Sequence, residues 1–163
     1  MKKIILISGD PNSINSEIII KSWRSLNISL KKKLYLISNY DLIKKQFKKL
    51  NFNKKIIKVN NVNDKSNEAS MKILNVDCNY KNPFNVPRKS SSKFVNGCLN
   101  LAHKISLDTN ILGMINCPID KTLLNSKNIG VTELLAAKCK IKNKSEVMLI
   151  KNKKFSVSPI TTH

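Results

Sequence analysis

The residues whose types and spacing suit chemistry stand in a few short stretches of this chain. After KKIILIS comes SGDPNSINSE, with Asp10 and Glu17 inside it. After ILGMIN comes NCPIDK, which holds Lys121, and NIGVTE brings Val131, Thr132 and Glu133 together. The last stretch, SVSPITTH, carries His163 directly behind Thr161 and Thr162. An imidazole is a metal ligand or a proton carrier, a lysine offsets a carboxylate or phosphate, and threonine hydroxyls hydrogen-bond to oxyanions. Each residue also has a plainer reading. Asp10 is equally a turn residue and Glu17 a first-turn helix acid. Thr132 is equally a helix cap, and Lys121 one of many surface lysines. His103, the second of only two histidines, falls off the centre of a helical stripe and reads as a boundary residue.

Those stretches matter only if the elements between them bring them to one edge. KKIILIS is short and almost wholly apolar, as suits a strand covered on both faces. NSEIIIKSWRSL predicts a helix capped by Asn15 or Ser16, with Ile19, Trp23 and Leu26 on one face. KKLYLIS is a second strand, YDLIKKQFKKLNF a helix with Leu42, Ile43, Phe47 and Leu50 inward, and KKIIKV a third strand. A polar stretch over 60–70 leads to a weaker strand, MKILNV, and a loop with Pro83 and Pro87. SSSKFVNGCLNLAHKISLDT is the clearest helix, with Phe94, Cys98, Leu101, Ala102 and Ile105 recurring every three or four residues. ILGMIN reads as another buried strand, KTLLNS as a short helix and VTELLAAKC as a longer one. EVMLIKN and KFSVSPI read as two strands around a tight turn at Asn152 and Lys153. The alternation argues an α/β domain with a mainly parallel sheet. In such sheets ligands gather at the carboxyl ends of strands, the position of the loops above. Gly9 and Gly130, each just before a helix start, suit close approach of backbone N–H groups to an anion.

Composition narrows the classes. A chain of 163 residues is one ordinary domain or about half of a two-domain enzyme. At 41% hydrophobic residues it can bury a core. The formal net charge of +20 invites a nucleic-acid reading. Against that, only Arg24 and Arg88 among 30 basic residues are arginine, and the lysines are spread along the whole chain. A solvated lysine-rich surface is the better account, with specific nucleic-acid binding not expected. A non-catalytic basic module that binds polyanions stays as the alternative. The apolar run at the N-terminus is too short for a secretion signal and no stretch could span a bilayer, so a cytoplasmic protein is expected. Cys78, Cys98, Cys117 and Cys139 form no closely spaced pair, which points to reduced thiols rather than a zinc or disulfide framework. No G-x-G-x-x-G or P-loop pattern occurs, so an ordinary Rossmann or P-loop site is excluded.

Taken in order, GDPNSINSEI, NCPIDK, GVTELLAAKC and SVSPITTH resemble the 4-hydroxythreonine-4-phosphate dehydrogenase family of vitamin B6 biosynthesis. The resemblance runs over essentially all of this chain and only the first half of the family's length. It implies an isocitrate/isopropylmalate-dehydrogenase-like α/β fold. Residues 1–163 would then be the N-terminal half of a two-domain subunit that works as a homodimer. The activity implied is NAD- or NADP-linked oxidation of 4-phosphooxy-L-threonine, a small phosphorylated amino acid, to 3-amino-2-oxopropyl phosphate and CO₂. A divalent ion (zinc, magnesium or cobalt) held by three histidines would polarise the alcohol. By the same resemblance His163 matches the first metal histidine, and Thr132 the second member of a His-Thr pair that contacts substrate. Val131 stands where the family has that histidine, and valine offers no hydrogen bond. A paralogue acting on another phosphorylated hydroxy acid therefore stays open. Gly9, Asp10, Pro11, Ile14, Glu17, Pro118, Lys121, Gly130 and Glu133 match motif positions without an assigned role. With one metal histidine of three, the chain is expected to be a fragment and inactive alone.

Overall fold

The computed structural model of the protein describes residues 2–64, 69–124, 130–140 and 146–159. Its centre is a five-stranded sheet built from β1 (Lys3–Ile7), β2 (Leu34–Ser38), β3 (Ile56–Val59), β4 (Met71–Asn75) and β5 (Ile111–Asn116). The order across the sheet is β3-β4-β2-β1-β5, and all four pairings are parallel. Chain order reverses direction at β1, since β2, β3 and β4 lie to one side of it and β5 to the other. That is the switch point at which open α/β sheets leave a crevice.

The described residues also form helices α1 (Asn15–Ser25), α2 (Ile28–Lys33), α3 (Tyr40–Lys49), α4 (Arg88–Ser106) and α5 (Val131–Lys138), and a 3-10 turn at Lys121–Leu123. Helices α1 and α3 cover one face of the sheet, where Ile19, Ile20, Trp23, Ile43 and Phe47 pack on Leu36, Met71 and Ile73. Helix α4 covers the other face, where Phe94, Val95, Cys98, Leu99 and Ala102 meet Ile5, Ile7, Ile37 and Leu74. Two separate apolar layers therefore sandwich the sheet, and β2 is buried at every position.

Several details differ from the sequence reading. The cap position of α1 is Ile14, which offers no side chain to the helix, while Asn15 and Ser16 lie inside it and are buried. Ser13 does the capping work, its hydroxyl accepting from the Asn15 N–H at 3.2 Å. Helix α2 was not expected, because ISLKKK has no apolar stripe to announce it. Asn27 caps it, accepting from the Leu30 N–H, and Lys72 holds its far end. Of the stretch KTLLNS, expected as a short helix, the described residues form a 3-10 turn over Lys121–Leu123, and the residues after Leu124 lie outside the described ones. The hairpin is real but short, β6 (Ile150–Lys151) against β7 (Ser156–Val157) antiparallel, with Asn152 Oδ1 accepting from two backbone N–H groups of the turn. The larger correction concerns β5. It was expected to be buried, but it is an edge strand, and only Ile111 of its six residues is buried.

Candidate functional site

The first loop, after β1, joins the carboxyl ends of the strands together. Gly9 has φ +72°, and a Cβ there would stand 2.6 Å from the Pro118 carbonyl oxygen and 2.5 Å from Asn15 Nδ2. The Cβ side of Gly9 is thus filled by protein. The crossing is fixed by two hydrogen bonds to the Pro118 carbonyl, from Asn15 Nδ2 at 2.7 Å and from the Asp10 N–H at 3.4 Å. Asn12 ties the same loop to the segment after β4, donating to the Val86 carbonyl and accepting from the Val86 N–H. Gln46 of α3 donates to the carbonyls of Pro11 and Pro83, at 2.9 and 2.6 Å. Three loops from three strand ends are therefore held as one rim.

Under the rim lies a pocket lined by Ser8, Asp10, Asn15, Ser16, Ser38 and Gln46 among others, with room for about one water. The Ser8 hydroxyl and Asn15 Oδ1 are buried without a hydrogen-bond partner among the described residues. Both are polar atoms a water could satisfy. Asn12, Gln46 and Ser8 were not singled out from the sequence, and Asn15 was marked only as a candidate helix cap. One signal was present for Gln46, a polar side chain standing inside the inward stripe of α3 between Ile43 and Phe47.

The residues marked for chemistry are placed as follows. Asp10 is half-buried, and its carboxylate accepts from the Asn12 N–H at 2.9 Å, holding the loop's turn. Glu17 is on α1, paired with Lys21 at 2.8 Å on the solvent side. Lys121 opens the 3-10 turn and is exposed. That turn is anchored on α4, since Ser92 and Asn96 both donate to the Leu123 carbonyl. Its cap is Asp120, whose carboxyl is held below its ordinary value by hydrogen bonds from Thr122. Gly130 precedes α5 in extended backbone, and the Glu133 carboxylate folds back to within 2.7 Å of where a Gly130 Cβ would stand. Val131 packs against the α4-side core, whereas Thr132 is exposed. His163 lies outside the described residues.

Three of the four thiols are not set up for nucleophilic work. Burial pushes the Cys78 and Cys117 thiols up to about 11 and Cys98 well above its ordinary range. His103 is half-buried on α4, with Nε2 3.7 Å from the exposed Cys139 thiol. Among the described residues no three His, Cys, Asp or Glu side chains come together as a metal site. A metal would need donors this part of the chain does not assemble.

The family model described as pyridoxal phosphate biosynthetic protein PdxA matches residues 29–163. No curated protein matches the chain. Among solved structures, a chain described as a 4-hydroxythreonine-4-phosphate dehydrogenase from Salmonella typhimurium superposes with TM-score 0.80 at 19% identity. The match covers 97% of this chain and 50% of that one. The 4-hydroxythreonine-4-phosphate dehydrogenase from Klebsiella pneumoniae gives 0.78 at 20% identity, over 97% and 50% of the two chains. The Burkholderia phymatum enzyme of the same description gives 0.75 at 15%, over 97% and 49%. At these identities the likeness is one of fold, and this chain spans about half the length of the structures it matches.

Proposed function

We propose, from the premise that the chain belongs to the pyridoxal phosphate biosynthetic protein PdxA family, that it is the N-terminal half of a two-domain dehydrogenase. In this reading the complete enzyme oxidises 4-phosphooxy-L-threonine with NAD or NADP, releasing 3-amino-2-oxopropyl phosphate and CO₂. The observation that carries the reading is the family match over residues 29–163. It is supported by the parallel sheet and by loops after β1 and β5 that meet at the switch point. This chain's share of the work is positional. The crossed loops at Gly9 and Pro118 fix the rim against which a phosphorylated substrate would be held. Thr132, exposed at the start of α5, is the group offered for a hydrogen bond to it. Val131, turned to the core, contributes shape rather than polarity.

His163 is proposed as the chain's one metal donor. With one metal histidine where the reading calls for three, the chain alone is expected to hold no catalytic ion. Purified alone, it should form no NADH or NADPH from 4-phosphooxy-L-threonine with zinc, magnesium or cobalt present, and turnover would overturn its incompleteness. A chimera joining it covalently to the unmatched half of the Klebsiella pneumoniae chain is expected to turn over and to lose activity in His163→Ala. A folded chimera that binds cofactor but stays inert would overturn the dehydrogenase reading.

A further inference from the structure

Two polar atoms are left over where the rim closes. Ser8 follows β1 directly and is 6% exposed, and Asn15 opens α1 at 2% exposed. Both line the pocket under the rim, and neither Ser8 Oγ nor Asn15 Oδ1 has a hydrogen-bond partner among the described residues. A buried polar group in that state bears its full desolvation cost, so a partner is called for. The Asn15 amide also has only one workable orientation. Its Nδ2 donates to the Pro118 carbonyl at 2.7 Å and to the Asp10 carbonyl at 3.3 Å. Turned over, the amide would set Oδ1 against those two carbonyl oxygens, acceptor against acceptor. Oδ1 therefore stays on the other side, where no described group donates to it.

We propose that the pocket is a binding site for one resident water, which joins Asn15 Oδ1 to Ser8 Oγ and so keeps the amide on Pro118. The lining fixes the chemistry of the ligand. Asn15 Oδ1 only accepts, so the ligand must donate a proton or carry positive charge. An anion is excluded by that oxygen and by Asp10, whose carboxylate belongs to the same lining. A calcium- or magnesium-like ion needs about six oxygens or more. Asp10 is the one carboxylate of the lining, and it already accepts from the Asn12 N–H. The net charge of +20 adds to the cost of any cation. The space holds about one water, so the ligand is a neutral group of one heavy atom that both donates and accepts. Ser16 and Ser38, on the same lining, bring the further hydroxyls that a buried water needs as partners. The site is the same whichever reaction the chain serves.

A crystal structure of the chain that resolves ordered water tests the site. A single peak is expected about 2.7–3.2 Å from both Ser8 Oγ and Asn15 Oδ1. A dry pocket, a direct Ser8–Asn15 hydrogen bond, or a peak with a metal-like shell of about six oxygens would each overturn the proposal. The positioning role is read in solution by nuclear magnetic resonance. In the unaltered chain the Asn15 side-chain amide protons should exchange slowly and show a nuclear Overhauser contact to bound water. Ser8→Val puts methyl groups where the water sits. It should remove that contact and speed exchange of the Asn15 Nδ2 protons about tenfold or more. Ser8→Ala leaves room for the water and should give a smaller change with the contact retained, which decides the matter if the valine variant fails to fold. Unchanged exchange at Asn15 in Ser8→Val, or no contact to water in either Ser8→Ala or the unaltered chain, would show that Pro118 and Asp10 hold the amide alone.

Discussion

Gly9 shows how far single residues can be read. Its place before a helix start was visible in SGDP, and so was the suitability of glycine there. What it approaches was not, because Pro118 is distant in sequence and nothing in NCPIDK marks its carbonyl as a partner. With positive φ and a filled Cβ position, Gly9→Ala is expected to cost about 2–4 kcal/mol in urea unfolding. Gly113→Ala, with open space around it, should be near neutral, and equal losses at both sites would refute this account. The buried thiols give a second expectation. Cys117 is raised from an ordinary 9.0 to about 11 by burial, and burial also raises Cys98 well above its ordinary value. A raised folded-state pKa contributes stability below pH 9 that is lost as pH climbs through the folded value, because the unfolded chain ionises first. Stability should therefore fall between pH 9 and about 11, and the double variant Cys98→Ala, Cys117→Ala should fall less steeply. Parallel pH profiles would remove the thiols from the explanation.

At the scale of elements, the strongly periodic segments were legible and the weakly periodic ones were not. The stripe through Phe94, Cys98 and Ala102 gave α4 its buried face because a helix against a sheet needs one. Helix α2 carries no such stripe, and its ends are fixed instead by Asn27 and by the buried Lys72, whose ammonium donates to the Lys32 carbonyl at 2.7 Å. Burial, with Lys3 nearby, lowers the Lys72 pKa. Strand β5 misled because an apolar run reports what favours burial, and periodicity cannot say whether a strand stands at the centre or the edge of a sheet. Gln46 is the element-scale test, since it links α3 to two loops. Gln46→Leu keeps the bulk but leaves the Pro11 and Pro83 carbonyls without that donor, and should cost about 1–3 kcal/mol. Amide exchange over 10–13 should quicken with it, and unchanged exchange there would show that Asn12 and Asn15 hold the rim unaided.

For the whole molecule, the parallel α/β architecture was legible from the alternation of runs, and the strand order was not. Nothing local in KKIIKV or MKILNV tells that β4, rather than β3, lies beside β2. Among the described residues no helix is long and apolar enough to cross a membrane. The net charge of +20 acts on the fold as a whole through self-repulsion, since acidic partners are few and Glu17–Lys21 is a surface pair. Salt should therefore raise the melting temperature between roughly 0.02 and 0.5 M, over which the screening length shrinks below the spacing of surface lysines. A melting temperature that falls over that range would show specific ion pairs to outweigh repulsion. The sole tryptophan, Trp23, is buried beneath α1 and gives a fluorescence signal for the transition.

The pairing of Lys3 with Ile111 has a consequence for the order of events in folding. Strand β1 is flanked on one side by a segment made about a hundred residues after it. Until that segment emerges, β1 can zip only to β2, and the Gly9 loop has no Pro118 to close against. Such sequence-distant pairings pay loop closure before they return contact energy, which makes them late and slow. Chains stalled before Cys117 should accordingly bind chaperones longer than chains stalled a few turns after it.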